Sequence, residues 1–126
     1  MIHTISFKDT VTASTVKTLA SKQIGFPFKF SRIHIYFPLG SDLLTQYRVY
    51  SSYDDNAPSS GEPSGINIFG TLGQVNYIVG ANGWITIIDQ TVVRERGTFI
   101  KVYMNNTDSA DHTLVCVIEI DDDIGE

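Results

Sequence analysis

Apolar and polar residues alternate along most of this chain with a period of two, the period of a strand buried on one face. His3 to Lys8 places Ile5 and Phe7 on one side, and Asp9-Thr10 closes the run. Val11 to Ser21 is rich in threonine, valine and serine, which fit a pleated surface better than a helix, so it reads as one strand or two short ones. After Gly25 and Pro27, the run Phe28 to Pro38 has Ile33, Ile35 and Phe37 on a core face. Strict parity then puts Phe28, Phe30, Arg32, His34 and Tyr36 together on the opposite face. That second face is aromatic and amphipathic, which suits contact with another surface. Phe30, His34 and Tyr36 are therefore the candidate residues for a subunit or partner contact.

Leu43 to Ser51 is the next strand, with Tyr47 and Val49 opposite Arg48 and Tyr50. Ile66 to Phe69, Gln74 to Val79 and Trp84 to Asp89 follow as short strands. Gly80-Ala81-Asn82-Gly83 joins the last two with a strong hairpin signal. From Gly97 to Ile120 the pattern is strand, turn, strand. Thr98 to Met104 alternates, Asn105 to Ser109 supplies turn chemistry, and His112 to Ile120 returns apolar at almost every position. This hairpin is the expected centre of the fold, because a strand apolar on both faces is central or covered by another chain. Ser52 to Gly65 is polar and rich in serine, glycine and proline, and reads as a long surface loop.

Eight or nine short strands without crossover helices imply an all-β fold, a two-layer antiparallel sandwich or a barrel. The 126 residues form a single domain, 1–126, large enough to bury a core without disulfides. The formal charge of −5, with basic residues scattered, argues against nucleic acid or an anionic membrane as partner. No run approaches a membrane span, and Met1 to Ile5 has neither a basic leader nor an apolar core, so no signal peptide is expected. Asn105-Asn106-Thr107 matches the glycosylation pattern only by accident on that reading. Cys116, the single cysteine, reads as a small core residue.

Candidate chemistry is sparse. His3, His34 and His112 have no second ligand at metal spacing. Asp121-Asp122-Asp123 lacks the spaced oxygens of a calcium loop and reads as a solvated end. Asp54-Asp55-Asn56 is the stronger calcium candidate. There is no Gly-x-Ser-x-Gly elbow, and Gly70-Thr71-Leu72-Gly73 lacks the lysine of a phosphate loop. No catalytic residue, metal or cofactor is expected. Six tyrosines suit protein or sugar recognition, although most belong half-buried in strands.

Three stretches carry a likeness to a known family. They are Arg32 to Pro38, Tyr77 to Gly80 leading to Trp84, and Thr98 to Tyr103 with Asn105 to Asp108 and His112-Thr113. In general pattern the chain resembles the jelly-roll capsid decoration, or cement, proteins of tailed phages. The resemblance implies a jelly-roll sandwich that assembles as a homotrimer, made in a host cytoplasm and bound to the major capsid protein on the virion exterior. It carries over no catalytic residue. The alternative is a carbohydrate-binding sandwich of a phage tail or host-attachment apparatus.

Overall fold

The computed structural model describes residues 1–38, 40, 43–71, 77–80 and 83–124. Among them are ten strands and one four-residue helix. The strands are β1 (Ile2–Val11), β2 (Thr15–Ala20), β3 (Phe28–Phe37), β4 (Thr45–Ser52) and β5 (Ile66–Asn67). After helix α1 (Ile68–Thr71) come β6 (Ile78–Val79), β7 (Gly83–Ile88), β8 (Val92–Val93), β9 (Phe99–Asn106) and β10 (His112–Asp121).

One sheet has the order β1-β10-β3-β7, with β8 also on β3. The other has β2-β9-β4-β5, with β6 also on β4. Every named pairing is antiparallel. Successive long strands switch sheets, so each sheet interleaves the start and end of the chain. This is the strand order of a jelly roll. The expected all-β sandwich is present.

The core lies between the sheets. Phe28, Phe30, Ile33, Ile35 and Phe37 of β3 meet Leu114, Cys116 and Ile118 of β10, and across the gap Tyr47, Val49, Ile100, Val102 and Met104. Tyr47 reaches from one sheet to the other. Its ring packs edge-on against Phe37 at 5.2 Å, its hydroxyl donates to Tyr36 O at 3.1 Å, and it accepts from Val115 N at 3.2 Å. Burial pushes its phenol above the ordinary range.

The structure corrects the sequence reading at four places. β9 and β10 do not form a hairpin: each is an inner strand of a different sheet. The Asn105–Ser109 turn is a corner between sheets. Asn106, fully buried, donates to Val11 O at 3.1 Å and Ala110 O at 2.9 Å, tying that corner to the end of β1.

Phe28 and Phe30 face the core, not the surface. Against β10, Ile120 pairs with Phe30 and Glu119 with Arg32, so Ser31 is an extra residue. Such a bulge shifts parity by one position. Both phenylalanines thereby join Ile33, Ile35 and Phe37, at 0% exposure.

Ile66–Phe69 is a two-residue strand running into a single helical turn. Val92–Val93, unanticipated as a strand, pairs with Phe28 and Lys29. The Ala81-Asn82 turn, Gln74–Asn76 and Leu72-Gly73 lie outside the described residues. Gly80 next to that turn is required by space, since a Cβ there would stand 2.5 Å from the Phe37 ring.

Candidate functional site

The outer faces of the two sheets differ in what covers them. On the β2-β9-β4-β5 sheet the outer row includes Thr18, Tyr103 and Arg48 in register, with Lys101 beside Tyr50 in the adjacent row. The loop 53–65 lies over it. Lys101 has no exposed surface, and its Nζ donates to Asp54 Oδ1 at 2.7 Å, Ser64 Oγ at 3.1 Å and Ser64 O at 3.3 Å. Arg48 pairs with Glu62 and stands over the Tyr103 and Tyr77 rings, at 5.5 and 5.7 Å from their centroids. Tyr50 donates to Glu62 at 3.1 Å, and Pro63 is buried. The segment expected as a long surface loop is thus pinned by charge, and it roofs this sheet with the chain's own residues.

The other sheet's outer face is open. Three rows cross its four strands: Lys8–Val115–Tyr36–Trp84, Ser6–Val117–His34–Thr86, and Thr4–Glu119–Arg32–Ile88. Trp84 is 56% exposed and Ile88 69%, on a strand that pairs with β3 alone among the described residues. The Tyr36 and Trp84 rings lean together at 5.3 Å. In the next row His34 Nδ1 meets Thr86 Oγ1 at 2.9 Å, while Nε2 pairs with Glu119. Arg32 is exposed beside them. The face therefore presents an aromatic pair, a histidine–carboxylate pair and an exposed isoleucine on rigid strands, which is the composition of a contact surface.

Of the three candidate contact residues, His34 and Tyr36 lie side by side on this face, and Phe30 does not. Trp84 and Ile88 are the residues that strand parity alone could not single out. They become visible only when β7 is known to lie next to β3. Thr86, His34 and Glu119 form a hydroxyl–imidazole–carboxylate line like that of an acyl-transfer enzyme. It crosses the edge strand β7 and the inner strands β3 and β10, and the main-chain N–H groups of those inner strands are committed to ladders.

The remaining candidates are accounted for locally. Asp54, the calcium candidate, accepts from Lys101, from Ser64 and from Asn56 N at 3.0 Å, so an ammonium already fills the cation's place. Chiefly through Lys101, its carboxyl is held down at about 2. His3 bonds Asp122 at 3.1 Å and stacks on Phe26. His112 bonds Asp108 at 2.7 Å and holds that carboxyl below the usual range. Among the described residues no three His, Cys, Asp or Glu side chains are grouped to hold a metal. Cys116 is buried, which pushes its thiol up to about 12.

No protein-family model matches the chain, and no curated protein matches it. Solved structures similar to it include that of infectious bursal disease virus, Gx strain, at 8% identity and a TM-score of 0.47. That alignment covers 100% of this chain and 33% of the viral one. A second is the infectious bursal disease virus VP2 subviral particle, at 11% identity and a TM-score of 0.42, covering 95% and 32%. A third is the Yersinia pseudotuberculosis-derived mitogen, at 8% identity and a TM-score of 0.38, covering 95% and 86%. The chain spans about a third of the length of the two viral chains.

Proposed function

We propose that this protein is a virion structural protein, a decoration subunit that binds the outer face of a capsid shell and stabilises it. Its copies meet one another through the open sheet face, most simply as a homotrimer. Jelly rolls serve as shells, lectins and cupins alike, so the reading rests on surfaces and not on the fold. The observation that carries it is the contrast between the two outer faces. The chain covers one with its own loop and leaves Trp84 and Ile88 exposed on the other, with Tyr36 half-buried beside them. The space between the sheets is filled by Phe28, Phe30, Phe37, Tyr47 and Met104, so recognition belongs to the exterior. No catalytic role is assigned. Modest contacts repeated over several copies hold such a subunit to a shell, because each added contact raises the effective concentration for the next.

The alternative, carbohydrate binding, draws on the same Tyr36–Trp84 pair, since exposed aromatic rings also stack on sugars. Co-sedimentation with expanded capsids, compared with a glycan array, separates the two. Saturable sedimentation that weakens on Trp84→Ser and Ile88→Ser is the expected result. Glycan binding without shell binding would transfer the assignment.

A further inference from the structure

Strand β7 is an edge of the open sheet, paired with β3 alone among the described residues. The direction of its backbone groups follows from its neighbours. Asp89 N donates to Ser31 O at 3.3 Å, in the register that continues the β3–β7 ladder. Alternation along an antiparallel pair then turns Ile85 and Ile87 towards β3, and the N–H and C=O groups of Trp84, Thr86 and Ile88 point away from it. Tyr36, opposite Trp84, agrees with this: its carbonyl is turned the other way, to the Tyr47 hydroxyl beside Val115 of β10. The same three residues of β7 carry its exposed side chains. Free edges are templates for pairing, and proteins blunt the ones they do not use with charge. At the opposite edge of the sheet β1 carries exposed Lys8, and its Asp9 bonds Lys17 of β2 at 2.8 Å. From Gly83 to Ile88 there is no charge and no proline, and the register on β3 is unbroken.

We propose that β7 pairs antiparallel with β7 of a second copy, about a two-fold axis at Thr86, so that two open sheets join edge to edge. The strand is complementary to itself in that register. Trp84 faces Ile88 of the second copy, Thr86 faces its own equivalent, and each of these pairs exchanges two main-chain bonds. Aromatic–aliphatic and Thr–Thr cross-strand pairs are both stabilising. A slip of two residues leaves Trp84 or Ile88 facing beyond the end of the strand. On the inner side Ile85 comes opposite Ile87 of the second copy, extending the apolar layer. A contact of this kind is isologous and closes at two. It therefore doubles whatever assembly the open face forms, and it does not depend on the shell-binding role.

Sedimentation equilibrium of the purified chain tests the pairing. One short strand from each copy makes a contact well below the standard interface size, so association is weak. The mass found at tens of micromolar should double on concentration, with half-conversion on the order of 1 mM. Thr86→Lys sets like charges directly opposite one another and should hold the mass constant over the same range. Thr86→Cys puts two thiols at the axis, where the Cα atoms of a bonded pair stand about 5.5 Å apart, within reach of a disulfide. Its oxidation should link copies in pairs, whereas Ile88→Cys, which faces Trp84, should stay unlinked. Cys116 is buried and takes no part. A parent mass that never doubles, doubling that survives Thr86→Lys, or cross-linking of Ile88→Cys as fast as that of Thr86→Cys would overturn the proposal. So would loss of shell sedimentation in Thr86→Lys with no doubling of the parent, since the edge would then belong to a strand of the shell. Doubling without any binding to shells would uphold the pairing and count against the proposed function alone.

Discussion

Lys101 holds its ammonium where no solvent reaches, against a carboxylate that stays partly exposed. Taking away one member of such a pair leaves a buried charge alone, whereas replacing the buried member by an apolar side chain removes the problem. Asp54→Ala should therefore lower the melting temperature more than Lys101→Met does. It should also open Ser52–Gly65 to protease. The carboxyl of Asp54 is depressed from 3.8 to about 2 in the folded protein. A depressed carboxyl stabilises above its unfolded value and ceases to do so as the pH falls through the folded one. Protease resistance of the loop should thus be full above about pH 4 and fade towards pH 2. Resistance that is unchanged at pH 2 would remove the ion pair from the account. None of this was legible from position 101 alone, because the partner lies in a loop whose composition reads as unstructured.

Packing predictions at single residues are more direct. Ile35 and Val102 have no exposed surface, so alanine at either should cost ~2–4 kcal/mol in denaturant unfolding. Gly80→Ala would drive a methyl into the Phe37 ring and should cost ~1–3 kcal/mol by overpacking.

Among the elements, alternation was enough to locate the long strands: β3 and β10 bury every second residue over most of their length and β4 over its first half, while β9 is buried on both faces from Ile100 to Met104. It was not enough to pair them. A five-residue polar turn serves a hairpin or an inter-sheet corner equally well, and the choice here is made by Asn106 bonding back to β1. Nor could alternation foresee Ser31, where one extra residue against β10 turns Phe28 and Phe30 inward. Deleting Ser31 should throw both rings onto the surface or misregister the rest of β3. The expected loss exceeds that of any single core truncation, and a denaturant midpoint within the range of Ile35→Ala would show that the bulge does not set the register. Two of the three candidate contact residues were legible for the same reason: His34 and Tyr36 lie beyond the bulge and keep their parity, while Phe30 lies before it.

At the scale of the whole molecule, a jelly roll with one roofed and one open outer face should not remain a monomer. Light scattering at tens of micromolar should give three copies, and Trp84→Ser with Ile88→Ser should shift the population to one copy without loss of the β-rich circular dichroism spectrum. The measurement that bears most directly on the proposed role is cryo-microscopy of expanded capsids lacking the protein, mixed with the purified chain. Discrete density at shell symmetry axes, saturating with added protein and absent with the Trp84→Ser, Ile88→Ser variant, is the predicted result. Bare shells at saturating protein concentration would contradict it.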